Sequence, residues 1–225
     1  VNKVEDGKSI NIEDIAIDFG FSNEDNAKEK IKPGQEINFI SNFIELEDNR
    51  ICAKAFDNRV GCSLLLEIAN NLKDKLKSGK VYLCATVQEE VGLRGANTLA
   101  NKLGNNIDNY LIIDNSPAND LIDKDSVKLG GGVLIRVKDP RMIFNYDEVN
   151  ALRELGDDNK IKYQSFFSMG ATDGVAIEIS GYGNKVAALC VPGRNLHTHN
   201  VIIDKNDYQA TLDLASLYIL SKLGE

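Results

Sequence analysis

A 225-residue chain that is 43% hydrophobic can bury a core of ordinary size. A formal net charge of −8 argues against binding a phosphate backbone, which needs clustered basic charge. No apolar stretch approaches the roughly 20 residues needed to cross a bilayer, and Val1 begins no recognisable secretory signal.

In chain order, residues 1 to about 50 differ from the rest. Ile10 to Phe19 and Glu36 to Leu46 read as strands. Between them Ser22-Asn23-Glu24-Asp25 starts a short, charge-rich helix that Pro33-Gly34 ends. This segment is expected to be part of a small β-rich domain, with residues 51–225 forming the main one. There the pattern alternates. A strand from Ile51 to Phe56 precedes a helix whose apolar positions are Val60, Leu64, Leu65, Ile68, Leu72 and Leu76. Strands follow at Val81 to Val87 and Tyr110 to Ile113 around a helix from Gly95 to Leu103. Then come a strand near Gly131 to Val137, a helix near Asp147 to Leu155, a strand near Ile161 to Phe166 and a short helix from Thr172. The strand Val186 to Val191, stopped by Pro192-Gly193, and a helix from Asn206 to Leu223 complete it. Strands alternating with helices predict an α/β sandwich.

Several of these strands end in groups able to hold a metal or move a proton. Glu89 and Glu90 follow the run Val81 to Val87, at the carboxyl edge of the sheet, where open α/β sheets bind ligands. Adjacent side chains on an extended segment point opposite ways, so one can face a metal while the other faces a reacting water. Asp57, Asp114 and His197 close or follow other strands. Taken singly, each has a plainer reading. Glu-Glu can start a solvated loop, Asp57 can cap the next helix, Asp114-Asn115-Ser116-Pro117 can form an Asx-turn, and His197 and His199 can be exposed. Together, Asp, Glu and His without Cys suit Zn²⁺, Co²⁺ or Mn²⁺, and two-metal hydrolases use a carboxylate to bridge their ions. Cys52, Cys62, Cys84 and Cys190 lie in or beside apolar segments rather than in paired ligand spacings, and read as reduced thiols of a cytoplasmic protein. Gly130-Gly131-Gly132 is followed by no Lys-Ser/Thr pair and opens no helix, so it is not a phosphate loop. Thr172 and Asp173 read first as the cap of a helix, with a substrate role second.

The sequence resembles the cytoplasmic dinuclear metallo-aminopeptidases that include glutamyl aminopeptidase, the tetrahedral (TET) aminopeptidases and proteins labelled endoglucanase M. The resemblance is carried by Ile15-Ala16-Ile17-Asp18-Phe19-Gly20, Ala53-Lys54-Ala55-Phe56-Asp57-Asn58-Arg59-Val60-Gly61 and Thr86-Val87-Gln88-Glu89-Glu90-Val91-Gly92. It continues through Asp114-Asn115, Lys128-Leu129-Gly130-Gly131-Gly132, Gly170-Ala171-Thr172-Asp173 and Pro192-Gly193-Arg194-Asn195-Leu196-His197-Thr198. It implies a three-layer α/β/α sandwich of the zinc-peptidase type and, for the first 50 residues, part of an inserted β-rich barrel domain used in dimerisation. It also implies two divalent ions, Zn²⁺, Co²⁺ or Mn²⁺. Asp57 would bridge them, Glu90 and His197 would complete one site, Asp114 would belong to the other, and Glu89 would be the general base acting on the bridging water. Gly131 would lie close to the site. Peptides would be the substrates, and dimers would assemble into dodecamers.

Two departures from the family pattern stand out. The block Arg-Tyr-x-His-Ser-Pro reads Arg194-Asn195-Leu196-His197-Thr198-His199 here, and the family's upstream His-x-Asp block has no counterpart, because no histidine precedes His197. The resemblance therefore presents the chain as an N-terminally shortened member in which the Asp114 site lacks its imidazole. Two rival readings follow: a catalytically silent assembly subunit, and an endoglucanase-type glycoside hydrolase. The second fits poorly with a chain that has no Trp and only 7% aromatic residues for stacking on sugars.

Overall fold

The computed structural model describes residues 11–223, and the chain divides into two compact units, Val1–Phe39 and Ile40–Glu225. The described part of the first holds a 3-10 turn, Ile12–Asp14, and one helix, α1 (Glu24–Lys30). The expected cap is present: Asn23 accepts from the Asn26 amide at 2.9 Å, with Glu24 and Asp25 in the first turn. The expected strand to Phe19 does not form among the described residues, although Ile15, Ile17 and Phe19 alternate as a strand would. Those side chains are about half exposed, and a strand without a neighbour has nowhere to place its backbone hydrogen bonds. Of the expected strand Glu36 to Leu46, only β1 (Ile44–Glu45) appears, in the second unit.

The second unit is built on a seven-stranded sheet. Besides β1 it contains β2 (Arg50–Ala53), β3 (Asn109–Pro117), β4 (Val133–Lys138), β5 (Tyr163–Phe167), β6 (Lys185–Arg194) and β7 (Val201–Asp204), ordered β1-β2-β7-β6-β4-β5 with β3 also on β6. The β3–β6 and β4–β5 pairs are parallel and the others antiparallel. In β6 the run Val186–Val191 is buried throughout, as expected of a strand covered on both faces. The helices α2 (Phe56–Leu72), α4 (Tyr146–Asp158) and α6 (Lys205–Leu223) form one layer, and α3 (Arg94–Leu103) packs on α5 (Asp173–Glu178), which lies against β6 and β3. The expected three-layer α/β/α architecture is present. Val60, Leu64, Ile68 and Leu72 recur every fourth residue of α2 and are buried, each contributing roughly 1.5–3 kcal/mol.

Three differences from the sequence reading have physical causes. Pro192-Gly193 does not stop β6, which runs on to Arg194. Pro192 falls where the edge opposite β3 passes from β4, paired at Leu189 and Cys190, to β7, paired at Gly193 and Arg194, so its missing N–H breaks no ladder bond. Gly193 permits the close approach of β3, since a Cβ there would lie 2.6 Å from Asn115 Oδ1. The four-residue β7, too short to show a period, went unrecognised. Val81–Val87, an expected strand, pairs with no strand among the described residues, and Tyr82, Leu83 and Val87 are exposed. Its end is nonetheless anchored, because Gly95 donates to the Val87 carbonyl at 2.9 Å and Thr86 donates to Asp173.

Asp207, in the first turn of α6, accepts from the Gly130 and Gly132 amides, each at 2.7 Å, and fixes the glycine loop. Burial pushes its carboxyl up to about 6, against about 3.9 in an unfolded chain. Between those values the native state holds the proton more firmly, so this group makes folding less favourable as pH rises from about 4 through 6. Asp207→Asn should therefore flatten the pH dependence of stability by roughly 2–3 kcal/mol between pH 4 and 7, measured as the difference between wild-type and variant urea unfolding.

Candidate metal centre

Asp57 sits where β2 turns into α2. Ala55, at φ 57°, occupies the N-cap position without a side-chain cap, and Asp57 and Asn58 depart from helical dihedrals. Asp57 is thus not a helix cap. Asn58 holds the turn instead: its Oδ1 accepts from the Gly61 amide and its Nδ2 donates to the Ile113 carbonyl of β3, both at 2.9 Å. A Cβ on Gly61 would lie 2.3 Å from Asn58 Oδ1, so this residue must be glycine.

Glu89 and Glu90 lie in a tight turn after residues 81–87, where the Glu89 carbonyl accepts from the Gly92 and Leu93 amides at 3.1 and 3.0 Å. His197 follows β6, whose end is clamped by Arg194 in a two-pronged ion pair with Asp120, both contacts 2.7 Å. The Arg194 guanidinium holds the Asp120 carboxyl below its ordinary range. Asn195 and His197 both take left-handed backbone, φ 58° and 60°, an uncommon choice for non-glycine residues that concentrates at functional sites.

These turns bring Asp57, Glu90 and His197 together. His197 Nε2 lies 3.3 Å from Asp57 Oδ2 and 3.6 Å from Glu90 Oε2, and one ligand atom from each residue falls within 4.8 Å of the others. Asp114 lies within β3, paired with Cys190, rather than in an Asx-turn. It is buried, accepting from the Asn115 amide at 2.8 Å and the Thr172 hydroxyl at 3.0 Å. Burial pushes the Asp57 carboxyl up to about 7, helped by repulsion from Asp114 and Glu90 and opposed by His197. Glu89 is also pushed up to about 7, by burial and then by the charges of Asp114, Glu90, Asp173 and Asp57. Burial likewise raises Asp114 and Asp173. Carboxylates crowded until they resist ionisation, with an imidazole among them, form a donor set that a divalent cation would relieve, so the residues fit such an ion.

Glu89 lies outside the three-residue cluster but lines the same cavity of about 510 Å³ as Asp57, Glu90, Asp114 and Asp173. Thr172 stands at the N-cap of α5, yet its hydroxyl makes no cap bond and serves Asp114 instead. Asp173 accepts from Thr86, and its Oδ1 is buried without a hydrogen-bond partner. Gly131 is not among the residues lining this cavity. It packs on Gln164, where a Cβ would lie 2.5 Å from Nε2. Asn58 and the Asp120–Arg194 pair escaped the sequence reading; Arg194 and Asn58 stood within quoted blocks, but nothing marked their partners.

No described helix is long and apolar enough to cross a membrane. The family model for M42 glutamyl aminopeptidase matches residues 1–214. The glutamyl aminopeptidase of Lactococcus lactis subsp. cremoris is 34% identical over 199 residues, covering 88% of this chain and 56% of that protein. The TET1 peptidase of Pyrococcus horikoshii, described as assembling into a tetrahedron or a large octahedral shell, aligns with TM-score 0.83 at 31% identity, covering 95% of this chain and 63% of that one. A Thermotoga maritima structure named endoglucanase aligns with TM-score 0.69 at 25% identity, covering 92% and 62%. The chain thus spans less than two thirds of the length of each of these relatives. With its site blocks, its sheet and its matched length in agreement, the chain belongs to the M42 glutamyl aminopeptidase family.

Proposed function

We propose that this protein is a metal-dependent aminopeptidase that releases N-terminal residues from peptides. The observation that carries the reading is the convergence of Asp57, Glu90 and His197 within 4.8 Å, with Asp57 and Glu90 lining the same cavity as Glu89. In this reading Asp57, Glu90 and His197 would hold one divalent ion, and Asp57 and Asp114 would hold a second. Bound Zn²⁺, Co²⁺ or Mn²⁺ would polarise the scissile carbonyl and acidify the attacking water. Glu89 takes the proton from that water and passes it to the leaving amine, a role suited to a carboxyl lifted toward neutral pH. The surplus of negative charge attracts the substrate's α-ammonium, which Asp173, lining the same cavity, can receive, and this favours exopeptidase action. The crowding of carboxylates onto an imidazole supports a metal centre over the glycosidase arrangement of two carboxyls standing apart across a sugar. Residues 1–50 are assigned to a dimerisation domain and 51–225 to catalysis. A homo-oligomer is supported by the TET1 likeness, and a cytoplasmic setting by four free cysteines.

Peptides with free and N-acetylated termini test the reading. Release of the first residue only from free termini, lost with a chelator and regained with Co²⁺ or Zn²⁺, is the expected result. Cleavage of acetylated peptides, chelator-resistant hydrolysis, or cleavage of carboxymethylcellulose would contradict it.

A further inference from the structure

Arg136 is the one charged residue within the apolar run Val133–Val137 of β4, and it is only 2% exposed. A buried guanidinium is retained at a cost in desolvation unless its donors are well paired, and here they are not. Its ion-pair partner Asp139 stands 3.6 Å away, and both Arg136 Nε and Asp139 Oδ2 lack a hydrogen-bond partner. The bonds the guanidinium does make go elsewhere. Nη2 donates to the Gly170 carbonyl, and Nη1 reaches Ser116 Oγ at 3.5 Å. Gly170 lies two residues before Thr172, and Ser116 two residues after Asp114, while the Thr172 hydroxyl closes the ring by donating to Asp114 Oδ2 at 3.0 Å. Phe166 lies 5.9 Å from the guanidinium and Cys190 is fully buried, so apolar side chains flank the Arg136 end of this ring.

We infer that Arg136 is a positioning residue for the metal centre: it locks the turn Gly170–Thr172 to the end of β3, which aims Asp114 at the position of the second ion. The inference rests on the reading of Asp114 as a ligand. An arginine serving only the core would instead pair fully with Asp139. Because the Arg136 fork serves two segments at once, a lysine can keep the charge but not both bonds.

The test is calorimetric Co²⁺ titration of the wild-type chain, Arg136→Met and Arg136→Lys, with amide hydrogen exchange on each. The Met variant should weaken the second, Asp114-dependent event at least tenfold and leave the first within twofold. The Lys variant should fall between, near threefold. In the Met variant, exchange at Asn115, Gly170 and Asp173 should quicken while the rest of the sheet is unchanged. If the Met variant does not fold, the Lys variant decides, and wild-type affinity at both events with unchanged exchange overturns the inference. A second event in the Met variant within twofold of wild type, or no faster exchange at those amides, also overturns it. A wild-type chain that binds no Co²⁺ would refute the metal-centre reading itself, and Arg136 then stands or falls on the exchange data.

Discussion

Replacing Glu89 by Gln is expected to lower peptide hydrolysis by the protein roughly 10²- to 10⁴-fold, the usual worth of a positioned general base, while bound metal stays near the wild-type amount. The amide keeps the side chain's size but cannot take a proton from water. Glu89 is not part of the Asp57–Glu90–His197 cluster, so metal retention separates its role from that of Glu90. Glu90→Gln should do the reverse, losing metal together with activity. Metal loss in the Glu89 variant, with activity regained on adding metal, would mean that the two glutamates exchange roles.

The second large effect concerns the metal itself. Asp57, Glu90 and His197 supply three donors including an imidazole, enough for a catalytic-type site with an open position, whereas the proposed second position would draw on Asp57 and Asp114 alone. Two carboxylates hold a transition metal weakly by comparison. The chain is therefore expected to bind one divalent ion tightly and a second much more weakly. His197→Ala should weaken the tight event by more than about 100-fold, since even losing a partner that only orients a ligand costs about 10–100-fold.

Much of this candidate centre was legible in the sequence because the proposed ligands stand at or just after the ends of apolar runs, which stop at Asp114 and before Glu89. The layer architecture was legible for a related reason: the four-residue spacing of α2 and the unbroken apolar run of β6 are set by burial, which dominates residue choice in a core. The supporting shell was not legible, because it depends on tertiary partners. Thr172 reads as a cap until Asp114 is seen within hydrogen-bond reach, and nothing in the strand near Gly131 to Val137 singles out Arg136 before Gly170 and Ser116 are placed around it. Residues 81–87 illustrate the opposite error. Their apolar run suggests a strand, but strand formation is a property of a pair of segments, and none of the described residues pairs with them.

The most direct test of the account is calorimetric titration of the 225-residue chain with Zn²⁺ or Co²⁺, beside His197→Ala. One tight event per chain, a second far weaker, and loss of the tight event in the variant are the predicted results. Two equally tight events would require a ligand outside Asp57, Glu90, Asp114 and His197, with His199 the first to examine. No tight event in the wild-type chain, or a tight event that survives in His197→Ala, would contradict the assignment of Asp57, Glu90 and His197 as the metal site.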